Sequence, residues 1–242
     1  MARLFYILID LMLLGYILFA ALIFHKEKDN AECRGIQVVV ADSVQKHFVS
    51  KVDLVAQLQK DGLSPLHKPM RTINTEKIER DLLKNTMLSS VQVFKTPART
   101  VKIEVTQKMP VLRVMSLTGN YYIDSEGTTM PVSYRSVIRV PVATGYVEKE
   151  FAKNDLYKFA LFLQGNDFWS NQIEQIYVNS DREVELIPRV GDQRIILGSF
   201  ENFEEKLDNL RLFYEQAIPK IGWEKYSVIN LKFKGQIVCT KK

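Results

Sequence analysis

Three histidines, His25, His47 and His67, are the first side chains to test for chemistry, because imidazole is the usual metal ligand and the usual proton carrier near neutral pH. They are spread over the linker and the first domain and form no metal-ligand set, so each reads as a surface residue. Ser43 and Lys46 match the S-x-x-K pattern of serine acyl-enzymes, but that chemistry also needs a K-T-G element, which the sequence lacks. Asp124 and Glu126 stand as a carboxylate pair in "DSEG", where aspartate and glycine are the ordinary residues of a tight turn. No phosphate-cradling glycine loop and no nucleophile elbow occurs. The sequence therefore reads as non-enzymatic, with no cofactor implied.

The two cysteines, Cys33 and Cys239, are too few and too far apart for a metal set or a disulfide framework. They could pair only if the first and last strands lay side by side; otherwise they are two small, partly buried side chains. Hydrophobic residues make up 46% and charged residues 25% of the 242, which is the composition of a folded chain. The formal charge of +5 is dispersed, with no basic stripe of the kind nucleic acid requires.

The elements that must carry these residues begin with an apolar segment. Residues 4–24, "LFYILIDLMLLGYILFAALIF", would reach about 31 Å as a helix, close to the thickness of a hydrocarbon core. Asp10 is the one charge inside it. Its insertion costs about 2.5 to 3.5 kcal/mol, against roughly 4 to 8 gained from the fourteen Leu, Ile and Phe residues, so insertion in the bilayer is expected. The stretch is longer than a signal-peptide core and no small-x-small site follows closely, so it reads as an uncleaved anchor. Arg3 on one side and Lys26 and Lys28 on the other leave its orientation open. Asp10 has two readings, a polar contact to a partner helix or a residue near enough to the interface to snorkel or take a proton.

Behind a linker at 25–33, residues 34–107 read as strand, helix, helix, strand, strand. Ser50 and Asp53 form an acidic capping box, Gly62 suits a left-handed stop, and Asn74 caps a second helix with an apolar stripe of Ile78, Leu82 and Leu83. "SVQVFKT" and "TVKIEVTQ" form a hairpin about "PAR". The expected product is a three-stranded sheet with two helices on one face, which suits binding rather than catalysis.

Residues 108–242 read as a mainly antiparallel β domain. Its strands are "VLRVMSL", "NYYID", "SVIRVPVA", "IEQIYVN", "EVELIPRV" and "QRIILG", interrupted by helices at 154–165 and from Asn202, with Asn202 and Glu205 as a capping pair. The fold class expected for the whole is α+β. Last comes "YSVINLKFKGQIVCTKK", in which Ile229, Leu231 and Phe233 alternate with Val228, Asn230, Lys232 and Lys234 as in a half-buried strand. Placed so late, this strand is expected to be an edge open to pairing with another chain. A proline at Leu231 would then abolish pairing with little loss of stability.

In this order the pieces resemble the bacterial FtsQ/DivIB cell-division family: a short cytoplasmic tail at 1–3, a membrane helix, a POTRA domain and a C-terminal β domain. The resemblance rests on "TPARTVKIEVTQKMPVLRV" (96–114), with its Gln/Glu-Lys/Arg-x-Pro junction, on the "YYIDSEG" hairpin (121–127), on "PVATGY" (141–146), and on the closing "FEEKLDNLRLFY" and "GWEKYSVINLKFKGQIV". It implies residues 25–242 outside the cytoplasmic (inner) membrane, localisation to the division septum, and a scaffold without catalytic activity. The implied partners are FtsB-like and FtsL-like single-pass proteins, other divisome proteins reached through the POTRA domain, and the bilayer, with no nucleic acid. A segment of FtsB is expected to add as a strand along Ile229, Asn230, Leu231, Lys232, Phe233, Gln236, Ile237 and Val238. Better-known members can place a tryptophan in this tail, whereas Trp169 and Trp223 both lie upstream of it here. The alternative is a POTRA-containing component of outer-membrane biogenesis or secretion, which ordinarily carries several POTRA repeats or a β barrel. A third reading, an anchored enzyme of wall metabolism, lacks the catalytic set.

Overall fold

The computed structural model describes residues 9, 11–20, 31–41, 48–117, 119–133 and 138–242. Asp10, His25, Ser43, Lys46 and His47 lie outside the described residues, as do 4–8 and 21–24 of the expected anchor. Residues 11–20 form helix α1, whose Leu11, Met12, Leu14 and Phe19 are all exposed. No helix among the described residues is long and apolar enough to cross a membrane. The chain divides into two compact units, Met1–Gln107 and Lys108–Lys242.

In the first unit β1 (Gly35–Val40), α2 (Lys51–Lys60), α3 (Thr75–Leu82), β2 (Leu88–Lys95) and β3 (Thr100–Gln107) follow the expected order. The sheet runs β1-β3-β2, with β1 parallel and β2 antiparallel to β3. Local chemistry sets the helix boundaries. Ser50 accepts from Asp53 N at 3.2 Å while the Asp53 carboxylate accepts from Ser50 N at 3.1 Å, closing the capping box. Asn74 accepts from Lys77 N at 2.9 Å. Leu54, Leu58, Ile78 and Leu82 are buried, but Leu83 is 44% exposed and drops out of the expected stripe. At the end of β3 the buried Gln107 side chain accepts from Phe48 N and Val49 N at 2.9 and 3.0 Å, fixing the residues that lead into α2.

The second unit is a nine-stranded sheet in the order β12-β11-β10-β9-β8-β7-β4-β5-β6. Its strands are β4 (Pro110–Ser116), β5 (Gly119–Asp124), β6 (Thr129–Pro131), β7 (Val142–Gly145), β8 (Ile173–Val178), β9 (Val184–Pro188), β10 (Arg194–Gly198), β11 (Tyr226–Asn230) and β12 (Val238–Lys241). Its helices are α4 (Lys149–Phe151), running through a π-helical turn at Ala152–Leu156 into α5 (Tyr157–Gln164), then α6 (Asp167–Gln172), α7 (Phe203–Gln216) and α8 (Ile218–Ile221). Phe159, Leu163, Trp169, Leu207, Leu210 and Tyr214 from the helices join Leu112, Val114, Ile176, Leu186, Ile195 and Leu197 from the strands in one core. Phe159 meets Phe200 and Phe203 at ring-centroid distances of 5.0 and 5.2 Å.

The sheet is mainly antiparallel, as expected, with joints β4–β5, β5–β6, β8–β9, β9–β10 and β11–β12, but β4–β7, β7–β8 and β10–β11 are parallel. Adjacent parallel strands need a long crossover, and the helices supply it between β7 and β8 and between β10 and β11. Three expectations need correction. Of the expected strand at 136–143, the described part is extended chain until β7 begins at Val142, while β6 and α6 were not foreseen. Asn202 takes a left-handed backbone, φ 52°, and makes no side-chain cap, so the expected capping pair with Glu205 is absent. Most consequential, the expected single closing strand is two: β11 and β12, joined by a turn.

Candidate partner-binding edge

The sheet edge at β12 is assembled from three elements. β10 runs parallel to β11, with Arg194, Ile195 and Ile196 opposite Val228, Ile229 and Asn230. β12 returns antiparallel on the other side, with Cys239 opposite Ile229 and Val238 opposite Asn230. β11 is therefore flanked on both sides by its own chain, and the open side of this end of the sheet belongs to β12. This overturns the placing of Ile229, Asn230 and Leu231 on an edge.

The break has local causes. The Asn230 side-chain oxygen accepts from Lys232 N at 2.9 Å, which turns the backbone, and Gln236 N donates to Phe233 O at 3.2 Å across a second turn. Gly235 in that turn has φ +67°, a conformation that glycine adopts without strain. Leu231 still belongs to the ladder, since its N–H donates to Ile196 O at 2.9 Å and its side chain is buried. Backbone groups alternate sides along a strand. With Leu231 and Ile229 turned toward β10, Val228 and Asn230 face β12. Their partners Thr240 and Val238 thus point inward, and Cys239 and Lys241 turn N–H and C=O outward.

The remaining expected residues sit in or beside the connecting loop. Phe233 is 53% exposed, Gln236 is exposed, and Ile237 is half-buried against the core. Lys232 pairs with Glu183, and its stem lies over Gly198, where a Cβ would come within 2.8 Å of Lys232 Cγ. That close approach, with φ +75° at Gly198, explains glycine at the irregular end of β10. The loop and the first turns of α7 enclose a groove of about 180 Å³, lined by Glu205, Lys206, Lys232, Phe233 and Gln236 among others. Lys206 donates to Leu197 O and Ser199 O at 3.0 and 2.8 Å. Burial is the main cause that pushes its ammonium below the usual lysine range, with Lys232 adding to the fall and Glu201 opposing it.

On β12 itself Val238 and Thr240 are exposed, while Cys239 packs against the core, and burial pushes its thiol up. Both cysteines are free thiols. Lys242 closes the strand: its Nζ donates to Asp192 Oδ1 and Oδ2 at 2.8 and 2.9 Å and to Glu224 Oε2 at 2.9 Å. The Lys242 bond is the largest cause holding the Asp192 carboxyl below its ordinary value, and Asp192 in turn holds the Lys242 ammonium above its own. Sequence reading missed Cys239, Thr240, Lys241 and Lys242 as the edge. Gly235 was the available signal, since a glycine between two β-rich runs marks a turn.

The residues first tested for chemistry fall elsewhere. His67 is exposed, with φ 60°. Asp124 is 1% exposed and bonded to Lys108 Nζ at 2.7 Å, to Thr128 N at 2.8 Å and to Glu126 N at 3.0 Å, so it holds the "DSEG" hairpin. The two most specific stretches of the sequence therefore meet in one ion pair, Lys108 from the junction and Asp124 from the hairpin.

A family model described as "FtsQ/DivIB, C-terminal related" matches residues 109–240, and a model described as a POTRA-like domain matches residues 31–106. The cell division protein FtsQ of Rhodothermus marinus is 28% identical over 165 residues, covering 62% of this chain and 59% of that protein. This chain thus spans about three fifths of that relative's length. With a POTRA-like unit preceding a β unit whose family model alone takes in more than half of the sequence, the chain belongs to the FtsQ/DivIB family.

Proposed function

We propose that this chain is a non-enzymatic scaffold of the bacterial division machinery, anchored in the cytoplasmic membrane by residues 4–24, with its two folded units on the outer side at the septum. Its β12 edge takes a strand of an FtsB-like single-pass protein, with an FtsL-like protein in the same assembly, and the POTRA-like unit meets other division proteins. The observation that carries this reading is the sheet order, which among the described residues leaves β12 with one neighbour and two outward-turned residues, Cys239 and Lys241. The all-round apolar surface of α1 supports the anchor, since lipid is the medium that would cover it.

The energetics explain why an anchor belongs with such an edge. Each added main-chain hydrogen bond contributes about 0.5 to 1.5 kcal/mol net, while association costs an estimated 4 to 15 kcal/mol. A short strand is marginal alone. Confining both proteins to one bilayer raises their effective concentration, and Val238, Thr240 and the Phe233 loop add side-chain contact.

The test compares two prolines on the full chain in lipid nanodiscs, with an FtsB-like peptide as the probe. Lys241→Pro removes an outward donor and is expected to weaken binding at least tenfold with an unchanged melting temperature. Thr240→Pro removes an inward donor and is expected to loosen β12 as well. Equal affinity of wild type and Lys241→Pro would sink the strand-addition reading.

A further inference from the structure

The three-stranded sheet also has a long edge, and there the chain behaves differently. β2 lies at the border of the order β1-β3-β2, eight residues long, with Ser90, Gln92 and Phe94 exposed on the side away from its buried Val91 and Val93. Past the irregularity between Leu88 and Ser90 its ladder is regular, and an edge strand of this length is an aggregation hazard unless something covers or interrupts it. Glu79 of α3 interrupts it: its Oε1 accepts from Val93 N at 2.7 Å. An amide held by a side chain is not in the ladder to β3. By alternation the outward donors of β2 are therefore Val91, Val93 and Lys95. The carboxylate takes the central one of the three, and no two successive outward donors remain for a visiting strand. Ile78, buried beside Glu79 on the helix that packs on β2, fixes the helix from which the carboxylate reaches out.

We infer that Glu79 is a lock on the POTRA-like unit's sheet, and that without it β2 pairs antiparallel with β2 of a second copy of this chain. The strand is suited to pairing with itself. A two-fold axis at Val93 sets Val91 opposite Lys95 and Gln92 opposite Phe94, so no like charges face each other. The lock closes the β2 border of this sheet in the intact protein, and its test does not depend on any partner at β12.

The experiment uses the full chain in detergent micelles, with sedimentation velocity over a concentration series and amide hydrogen exchange read at Val93 at the dilute end of that series, where the chain is monomeric. Glu79→Ala is expected to raise Val93 exchange at least tenfold and to produce concentration-dependent association that the wild type lacks. Glu79→Leu carries the same expectation while keeping the helix propensity and most of the side-chain stem, and so serves if truncation to alanine melts α3. Glu79→Gln still offers an acceptor oxygen and should behave as wild type. Adding Val93→Pro to Glu79→Ala removes the freed donor and should restore wild-type sedimentation. Unchanged Val93 exchange in both Glu79→Ala and Glu79→Leu, or no association by either, overturns the inference. So does association that survives Val93→Pro.

Discussion

The two ends of the nine-stranded sheet are fastened by the same chemistry in opposite surroundings. Beside β5 and β6, Lys108 meets Asp124 with side-chain exposures of 15% and 1%, and Thr128 N, the Thr128 hydroxyl and Glu126 N also donate to the carboxylate. At β12, Lys242 meets Asp192 and Glu224 in the open. A buried, fully bonded pair resists removal of either member, because the remaining charge has no water to replace its partner. An exposed pair contributes little and is screened by salt. One end of the sheet is therefore fixed, and the other is ordered but yielding. The strand addition proposed for β12 requires the second condition, in which the strand is held in register without being committed.

Leu231→Pro should have the largest effect, because it locates the border between these regimes. The residue lies one position past β11, yet it is 3% exposed and its N–H donates to Ile196 O. Losing the bond and repacking the buried side chain should cost on the order of 4 kcal/mol, read from the shift of a urea midpoint. A loss below about 1 kcal/mol would place Leu231 on the yielding side and move the border inward. This reverses the expectation drawn from the alternating pattern, which treated the position as a harmless edge.

Lys108→Met comes next, at about 3 kcal/mol, since it leaves Asp124 buried without its cation. Burial pushes the Asp124 carboxyl up, but the bonds from Lys108 and Thr128 outweigh it and hold the group below its ordinary value. A depressed carboxyl contributes stability above its unfolded value of about 3.9 and loses that contribution as pH falls through its folded value. The gap between wild type and Lys108→Met should therefore be full at pH 7 and shrink below about pH 4. A gap independent of pH would mean that Lys108 acts through packing, and the contrast between the two ends would lose its basis.

Legibility in the sequence follows the range of the interaction. The Ser50–Asp53 box, the Asn74 cap and the "PAR" and "DSEG" hairpins are formed by residues a few positions apart, and they appear as expected. Two of the three parallel joints, β7–β8 and β10–β11, have helices between their strands, whereas β4 and β7 are separated by β5 and β6, and which strands become neighbours depends on the whole sheet. The β11–β12 split was hidden because period-2 alternation runs unbroken through Asn230, Leu231, Lys232 and Phe233, while the turn depends on an asparagine side chain and one glycine. Glu79 could not be read at all: its partner is a backbone amide fourteen positions later, brought to it by the packing of α3 on β2.

The smallest effect on stability is expected from Lys242→Ala, and it is the sharpest probe of the yielding end. Asp192 is depressed, so its part of the clamp is lost only as pH falls through the acid range; Lys242 is raised, so its part is lost only above the ordinary lysine value of about 10.4. Between those limits pH does not move the clamp, and ionic strength does. The charges are exposed, and at 1 M salt the screening length falls to about 3 Å, comparable to the contacts themselves. In wild type, exchange of the β12 amides should therefore speed up with added salt at pH 7, while the melting temperature barely changes. In Lys242→Ala the same amides should exchange fast at every salt concentration. If β12 in wild type is indifferent to salt, the strand is held by its pairing with β11 alone, and this end of the sheet is as rigid as the other.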